Sequence, residues 1–192
     1  MSHTVTRVLL IILCLTYVTN GCRCSPQHPQ RRFCHENAVV FVGKVTKEEL
    51  PKLTESRHIK YHLKLLTSLK GINGPVGSSI VIQTQLDSSA CGIRLTVGDK
   101  FLLSGMRSSK KDPIRIGSCS GFIFDATQLT FEQMIYFFSS GPDSYIRNCD
   151  CQTIIDPIHE PGRFDPRKGC KIPPEFGLCK REYGICRWKN RL

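Results

Sequence analysis

The chain has 192 residues and eleven cysteines, and its 27 Lys and Arg against 16 Asp and Glu give a formal net charge of +11. This cysteine content is typical of a secreted disulfide framework, and only 8% of the residues are aromatic. Both features argue against a nucleic-acid partner in spite of the positive charge.

The first 21 residues predict a secretory signal peptide. Arg7 supplies a positive charge, residues 8–18 form an apolar run, and Thr19 to Gly21 are suited to cleavage. The apolar run is too short to span a bilayer, which takes about 20 residues, and no other long apolar run follows. We therefore expect no membrane span, and a secreted, extracellular protein that begins at Cys22 with a net charge of +10.

The positive charge of the mature chain is dispersed. Basic pairs such as Arg31-Arg32, Lys110-Lys111 and Arg167-Lys168 lie far apart along the sequence. This pattern is typical of a solvated surface, and adhesion to acidic matrix polysaccharide is the alternative. The sequence leaves both interpretations open.

Segments rich in β-branched and aromatic residues predict five short strands, and this pattern favours a small closed barrel. In the second strand, apolar residues at 59, 61, 63 and 65 alternate with polar ones. One face is therefore expected to be buried and the other wet, so His58 and His62 are not expected to bind a metal. Gly43 marks a bulge in the first strand. The predicted strands are Ala38–Val45, His58–Leu66, Ser79–Thr84, Lys100–Gly105 and Pro113–Gly117.

One helix is predicted beside the barrel. Thr130 and Gln133 have the spacing of a capping box, apolar residues follow at helical intervals, and Gly141-Pro142 would end the helix. After Asn148 the chain consists of short pieces punctuated by Cys, Pro and Gly, so this tail is expected to bury little core and to depend on its four cysteines. We therefore predict a barrel domain over residues 22–149 and a small subdomain over residues 150–192.

Ten cysteines remain in the mature chain, because Cys14 lies within the signal peptide. Cys22 and Cys24 are separated by one residue, so a bridge between them would be strained, and each is expected to reach a distant partner. The same holds for Cys149 and Cys151. In an alternative, these two pairs bind a structural zinc, but the chain is expected to be secreted and zinc sites favour wider cysteine spacing.

The segment Cys22–Pro26, called the N-terminal strip below, would begin the mature chain with a half-cystine. A disulfide would take its sulfur and leave the α-amine and the adjacent carbonyl oxygen of Cys22 as two donors one chelate ring apart. The open position of a catalytic zinc normally holds water, so this pair is suited to cap a metal in another protein. A strip bridged through both of its cysteines would lose little entropy on binding.

The residues from Cys22 to Cys34, C-R-C-S-P-Q-H-P-Q-R-R-F-C, resemble the opening C-x-C-x-P-x-H-P-Q-x-x-F-C pattern of the tissue inhibitors of metalloproteinases. The resemblance covers the whole mature chain, with further matches at Leu69-Lys70-Gly71, Cys91-Gly92, residues 101–105 and Cys186-Arg187-Trp188. It implies a mainly β fold, with a five-stranded OB-like barrel of the netrin type, a flanking helix and a small disulfide-rich C-terminal subdomain. The implied disulfides are Cys22–Cys91, Cys24–Cys119, Cys34–Cys149, Cys151–Cys186 and Cys170–Cys179.

The same resemblance implies that the protein would be a secreted inhibitor of zinc metalloendopeptidases of the matrix metalloproteinase type. Cys22 would place its amine and carbonyl on the catalytic zinc of the target, and Arg23 would point into the S1′ pocket. Secreted or membrane-anchored metalloproteinases are the implied partners, and the inhibitor would hold no cofactor of its own. The implied protease contacts are Cys22, Arg23, Cys24, Ser25, Pro26, Ser88 and Ser89.

Two departures from the family stand out. Arg23 replaces a residue that is usually small or hydroxylated, and the tail lacks the sixth bridge that the family usually has. The sequence contains no H-E-x-x-H, G-x-S-x-G or Gly-rich phosphate loop, so no enzymatic activity is expected. The alternative function is a netrin-like module that binds matrix or a receptor and does not inhibit.

Overall fold

The computed structural model describes residues 22, 24, 27–52, 57–154, 165–171 and 176–189. The predicted signal peptide lies outside these residues, as do Arg23, Ser25 and Pro26 of the N-terminal strip. None of the helices in the described ranges is long and apolar enough to cross a bilayer.

Five strands form a closed ring. They pair in the order β1-β2-β3-β5-β4, and β4 pairs again with β1. All of these pairs are antiparallel except β3 with β5, which is parallel. The predicted fold class, a mainly β five-stranded barrel with a flanking helix, is confirmed. The strands are β1 (Ala38–Glu49), β2 (His58–Lys70), β3 (Ser79–Gln85), β4 (Lys100–Met106) and β5 (Ile114–Arg115).

The alternation expected in β2 is present, because its apolar side chains are buried and its polar ones are not. Gly43 lies at a register shift between β1 and β2, so the predicted bulge is confirmed. A Cβ atom at Gly43 would lie 3.1 Å from Cδ2 of Leu63, a separation that shows how closely the two strands approach at the bulge. The buried residues of β2 are Ile59, Tyr61, Leu63 and Leu65.

All five strands differ from the prediction at one or both ends. Strands β3 and β4 each extend one residue further than predicted, to Gln85 and Met106. Strand β1 continues to Glu49 and β2 to Lys70, because polar residues that show no hydrophobic alternation still pair, as Glu49 does with Lys60. Strand β5 is shorter than predicted and covers only Ile114 and Arg115. A further strand, β6 (Ile123–Asp125), pairs with β4 outside the ring and was not predicted.

Two helices are present among the described residues where one was predicted. Helix α1 (Pro29–Cys34) has only six residues, fewer than two turns, so it shows no hydrophobic period. Helix α2 (Phe131–Phe138) begins with the predicted capping box, in which the backbone N–H of Gln133 donates to Oγ1 of Thr130 at 3.2 Å. It ends at Phe138, before the Gly141-Pro142 pair.

The buried apolar residues of the described chain form two large cores and a small third cluster, which consists of the tail cysteines Cys151, Cys170, Cys179 and Cys186. The first fills the ring, and the second lies outside it, between the sheet, the two helices and the C-terminal segment. Leu178 is fully buried in the second core, and Phe176 packs against it. The described part of the tail therefore buries little beyond its four cysteines, as expected, and in addition it shares the second core with the barrel. Buried members of the second core include Phe33, Val40, Leu102, Tyr136, Phe137, Tyr145 and Leu178.

The C-terminal segment contains two small sheets. Strand β7 (Gln152–Ile154) pairs in parallel with β8 (Gly169–Lys171). Strands β9 (Cys179–Glu182) and β10 (Ile185–Trp188) form a hairpin whose two turn residues both have positive φ, 51° at Tyr183 and 81° at Gly184. The division of the chain between Cys149 and Cys151 stays a prediction.

Candidate functional site

Disulfides join the ten cysteines of the predicted mature chain in five pairs. Cys149 is bonded to Cys34 and Cys151 to Cys186, so neither has a free thiolate for a shared metal site with Cys22 and Cys24. The alternative of a structural zinc between the two C-x-C pairs is therefore wrong. The pairs are Cys22–Cys91, Cys24–Cys119, Cys34–Cys149, Cys151–Cys186 and Cys170–Cys179.

The two bridges of the N-terminal strip lie against each other. Sγ of Cys119 is 3.2 Å from Sγ of Cys22 and 3.2 Å from Sγ of Cys91, and Sγ of Cys22 is 3.6 Å from Sγ of Cys24. All four residues are half-buried. We refer to these four sulfur atoms as the sulfur cluster, and it fixes both cysteines of the strip to the barrel at one point.

The loop that contains Cys91, the disulfide partner of Cys22, is conformationally restricted. A 3₁₀ turn over Ser88–Ala90 leads into Cys91, whose φ of 63° is left-handed. The next residue, Gly92, has no room for a side chain, because a Cβ there would lie 2.1 Å from the carbonyl oxygen of Gln85. Ser88 and Ser89 are exposed and immediately precede this fixed backbone, so the loop presents two hydroxyl groups to solvent on a rigid support.

The loop that contains Cys119, the disulfide partner of Cys24, is hydrogen-bonded to the loop that contains Cys91. The backbone N–H of Ser118 donates to the carbonyl of Cys91 at 3.0 Å, and the Ser118 hydroxyl lies 3.4 Å from Sγ of Cys22. The Arg32 guanidinium of helix α1 donates to the carbonyl of Cys119. Both loops and the helix that follows the strip are therefore joined by hydrogen bonds around the sulfur cluster.

Helix α1 is anchored at its start by a buried histidine. The ring of His28 accepts a hydrogen bond at Nδ1 from the backbone N–H of Gln30 at 3.2 Å, and its centroid lies 5.0 Å from that of Trp188. Burial lowers the pKa of His28 from 6.5 to about 4, because the charged imidazolium would lose its hydration. His28 is thus a neutral helix cap at neutral pH.

The side chain of Gln30 connects this helix to the C-terminal segment. It is completely buried, and its Nε2 donates to the carbonyls of Asn148 at 2.9 Å and Cys179 at 2.7 Å. Its Oε1 accepts from the backbone N–H of Cys179 at 2.8 Å. Helix α1 is thereby tied to the β9–β10 hairpin, and the Cys34–Cys149 disulfide joins it to the segment that follows α2.

Sequence reasoning found the cysteines and serines of the site but not Gln30, Arg32 or the requirement for Gly92. One sequence feature could have led to the first two, since proline directly after a capping residue is typical of a helix start, and His28-Pro29 has this form. Recognising helix α1 there would have placed Gln30 and Arg32 in its first turns.

Cationic side chains of the hairpin are largely paired with acids. Nζ of Lys189 lies 2.6 Å from the Asp143 carboxylate, and Nζ of Lys180 lies 3.5 Å from the same group. The hydrogen bond from Lys189 lowers the pKa of Asp143. Arg181 pairs with Asp150 at 2.8 Å. These contacts add electrostatic ties between the hairpin and the segment that follows α2.

Comparisons with known proteins agree with this architecture. The family model described as tissue inhibitor of metalloproteinase matches residues 20–188. Metalloproteinase inhibitor 2 of Rattus norvegicus is 31% identical over 157 residues, which cover 78% of this chain and 67% of that protein. Metalloproteinase inhibitor 4 of Mus musculus is 30% identical over 139 residues, or 69% and 58% of the two chains. Metalloproteinase inhibitor 2 of Homo sapiens is 31% identical over 104 residues, or 50% and 46%. The match thus spans less than two thirds of the mouse and human proteins. The chain belongs to the tissue inhibitor of metalloproteinase family, a family of protease inhibitors and not of enzymes.

Proposed function

We propose that this protein is secreted and inhibits zinc metalloendopeptidases of the matrix metalloproteinase type by chelating their catalytic zinc through the amine and carbonyl of Cys22. The observation that carries the proposal is the sulfur cluster, in which the Cys22 bridge packs directly against the Cys24 bridge. This packing fixes the backbone of Cys22, which is the part of the residue that would bind the metal.

The chemistry of Cys22 fits this role. Its sulfur is bonded to Cys91 and is not free to bind metal, so only backbone donors remain. Removal of residues 1–21 would free its amine, and the carbonyl oxygen of the same residue would complete a five-membered chelate ring in place of the zinc-bound water. An α-amine has a pKa of about 7.7–8.0 and binds metal only after losing its proton.

Rigidity would favour tight binding. A segment that is already ordered loses little conformational entropy when it enters a cleft. Here the strip is bridged at Cys22 and Cys24, and the helix behind it is fixed by Gln30 and by the Cys34–Cys149 disulfide.

Further contacts would complete the binding surface. Ser88 and Ser89 would form a second strip beside the strip that contains Ser25 and Pro26, and Arg23 would enter the S1′ pocket. The partners would be secreted or membrane-anchored zinc metalloproteinases, and the only metal involved would be the catalytic zinc of the partner.

An N-terminal extension tests the proposal. The protein that begins at Cys22 is expected to inhibit a matrix metalloproteinase catalytic domain. A variant with one alanine before Cys22 should inhibit at least about 100-fold less, which corresponds to about 3 kcal/mol, because its amine has become an amide. The matched control carries the same alanine at the C-terminal end and should inhibit normally, and urea unfolding should be unchanged in both. If the N-terminally extended protein inhibits equally well, chelation through Cys22 is wrong. If no form inhibits, the matrix- or receptor-binding module becomes the better interpretation.

A further inference from the structure

The sulfur cluster borders a cavity that the proposed zinc chelation does not use. The cavity has a volume of about 190 Å³, which is large enough for a small organic thiol. Its lining includes the two barrel cysteines of the cluster, Cys91 and Cys119, and the polar side chains of His58, Gln83 and Arg115. Arg115 is exposed, so the cavity offers a positive charge to an entering anion.

The cluster is arranged so that its bridges can exchange. The strip cysteines, Cys22 and Cys24, have sulfur atoms 3.6 Å apart, and the barrel cysteines, Cys91 and Cys119, have sulfur atoms 3.2 Å apart. Neither pair is bonded, yet each is in contact. Thiol–disulfide exchange proceeds by attack of a thiolate on a neighbouring disulfide sulfur, so a thiolate formed anywhere in the cluster has a disulfide sulfur within reach.

We propose that the sulfur cluster and its cavity form a thiol-exchange site, at which a small anionic thiol makes the two disulfides of the cluster exchange. The exchange bonds Cys91 to Cys119 and releases the N-terminal strip. The product has a Cys91–Cys119 disulfide that keeps the two loops joined, while Cys22 and Cys24 become free thiols. The chemistry depends only on the positions of the sulfur atoms. Its consequence, a loss of inhibition, rests on the proposed function.

The exchange balances step by step. The small thiolate attacks the Cys119 sulfur from the cavity, forms a mixed disulfide and expels Cys24 as a thiolate. That thiolate attacks the Cys22 sulfur, which forms a Cys22–Cys24 bridge and expels Cys91. The Cys91 thiolate attacks the Cys119 sulfur, forms Cys91–Cys119 and returns the small thiol, so there is no net oxidation or reduction to this point. Two further thiol molecules then reduce the strained Cys22–Cys24 bridge and become one disulfide themselves.

Charge and burial direct the reaction to this cluster. Arg32 donates to the carbonyl of Cys119, so its positive charge lies beside the residue that the incoming thiolate attacks. The cluster is half-buried, whereas the four cysteines of the Cys151–Cys186 and Cys170–Cys179 bridges are at most 5% exposed. The cluster is therefore expected to exchange before those bridges do.

Peptide mapping tests the proposal on the protein that begins at Cys22. The protein is incubated with reduced glutathione, quenched with an alkylating reagent at intervals, digested without reduction and analysed by mass spectrometry. We expect a Cys91–Cys119 linked peptide to accumulate together with a strip peptide alkylated at both cysteines, while the buried Cys151–Cys186 and Cys170–Cys179 bridges remain intact. If Cys22 and Cys24 become alkylated but no peptide links Cys91 to Cys119 at any interval, or if the two strip bridges do not react, the proposal is wrong.

A charge variant tests the role of the cavity. Arg115→Gln should slow the reaction with glutathione by about two- to fivefold, the effect expected for one exposed charge, and should slow the reaction with 2-mercaptoethanol less, because that thiolate carries no carboxylates. Arg187→Gln, which removes an exposed arginine from the hairpin, is the matched control and should change neither rate. If Arg115→Gln and the unaltered protein react with glutathione at equal rates, the cavity does not direct the thiol to the sulfur cluster. If the linked peptide forms and inhibition persists, exchange stands and the proposed chelation fails.

Discussion

Acid should destabilise the packing around helix α1 through His28. This side chain is 6% exposed, and its ring lies against the rings of Trp188 and Tyr145. Burial holds its pKa near 4, while an unfolded chain has an ordinary histidine pKa of about 6.5.

The direction and size of the effect follow from these two values. Between pH 6.5 and pH 4 the unfolded state binds a proton at His28 and the folded state does not, so stability falls as the pH falls through this window. A pKa difference of about 2.5 corresponds to a loss of about 3 kcal/mol from His28. Above pH 6.5 this residue is neutral in both states, and below pH 4 it adds no further loss.

Urea unfolding of the oxidised protein measures this loss. The fluorescence of Trp188, the only tryptophan in the chain, reports on the same contact. The matched variant is His28→Asn, since asparagine still accepts the hydrogen bond of a helix cap but does not titrate. Between pH 7.5 and pH 4 the stability of the unaltered protein should fall relative to the variant by about 3 kcal/mol, while carboxylates such as Asp143 cancel in the comparison. A difference constant within about 0.5 kcal/mol would show that His28 is not held neutral in the folded state.

Three substitutions give further tests. Gln30→Ala removes three buried hydrogen bonds and should lower the free energy of unfolding in urea by about 3–5 kcal/mol, whereas exposed Gln128→Ala should change it by less than about 0.5 kcal/mol. Gly92→Ala should cost more than about 3 kcal/mol in the same titration, because the new Cβ would meet the Gln85 carbonyl at 2.1 Å, and near-normal stability would contradict the rigid loop. Arg23→Thr should tighten inhibition of proteases with a shallow, apolar S1′ pocket by about 1–3 kcal/mol and weaken it for an acidic pocket. Inhibition constants that stay within about twofold across such a panel would show that Arg23 remains outside the pocket.

The sequence predicted the elements of the fold that have a recognisable pattern of residue types over a short stretch of chain. Alternation of apolar and polar residues over 59–65 identified β2, and the capping-box spacing of Thr130 and Gln133 identified the start of α2. Both patterns depend only on residues that are close together in the sequence. Helix α1 and strand β6 were missed because six and three residues are too few to show a period.

The site was harder to predict from the sequence, because its contacts join residues that are far apart along the chain. C-x-C spacing excludes a bridge between neighbouring cysteines but does not name distant partners, so the implied pairs came from the resemblance. Gln30 stands at a fixed position of the resemblance, but its role was not predicted because its partners, Asn148 and Cys179, lie 118 and 149 residues further along the chain. Burial of Leu178 beside the barrel was likewise missed, since a short segment rich in Cys, Pro and Gly shows no hydrophobic pattern.

The long reach of the contacts around helix α1 has a consequence for biosynthesis. Cys24 bonds a residue 95 positions later, Cys34 one 115 positions later, and Gln30 one 149 positions later. During synthesis at about 5–20 residues per second, the start of the mature chain therefore waits about 7–30 seconds for the last of these partners to leave the ribosome. Because the partner of Cys22 follows 69 positions later and that of Cys24 follows 95 positions later, Cys22 remains open to a disulfide isomerase for almost half of that interval and Cys24 for almost two thirds.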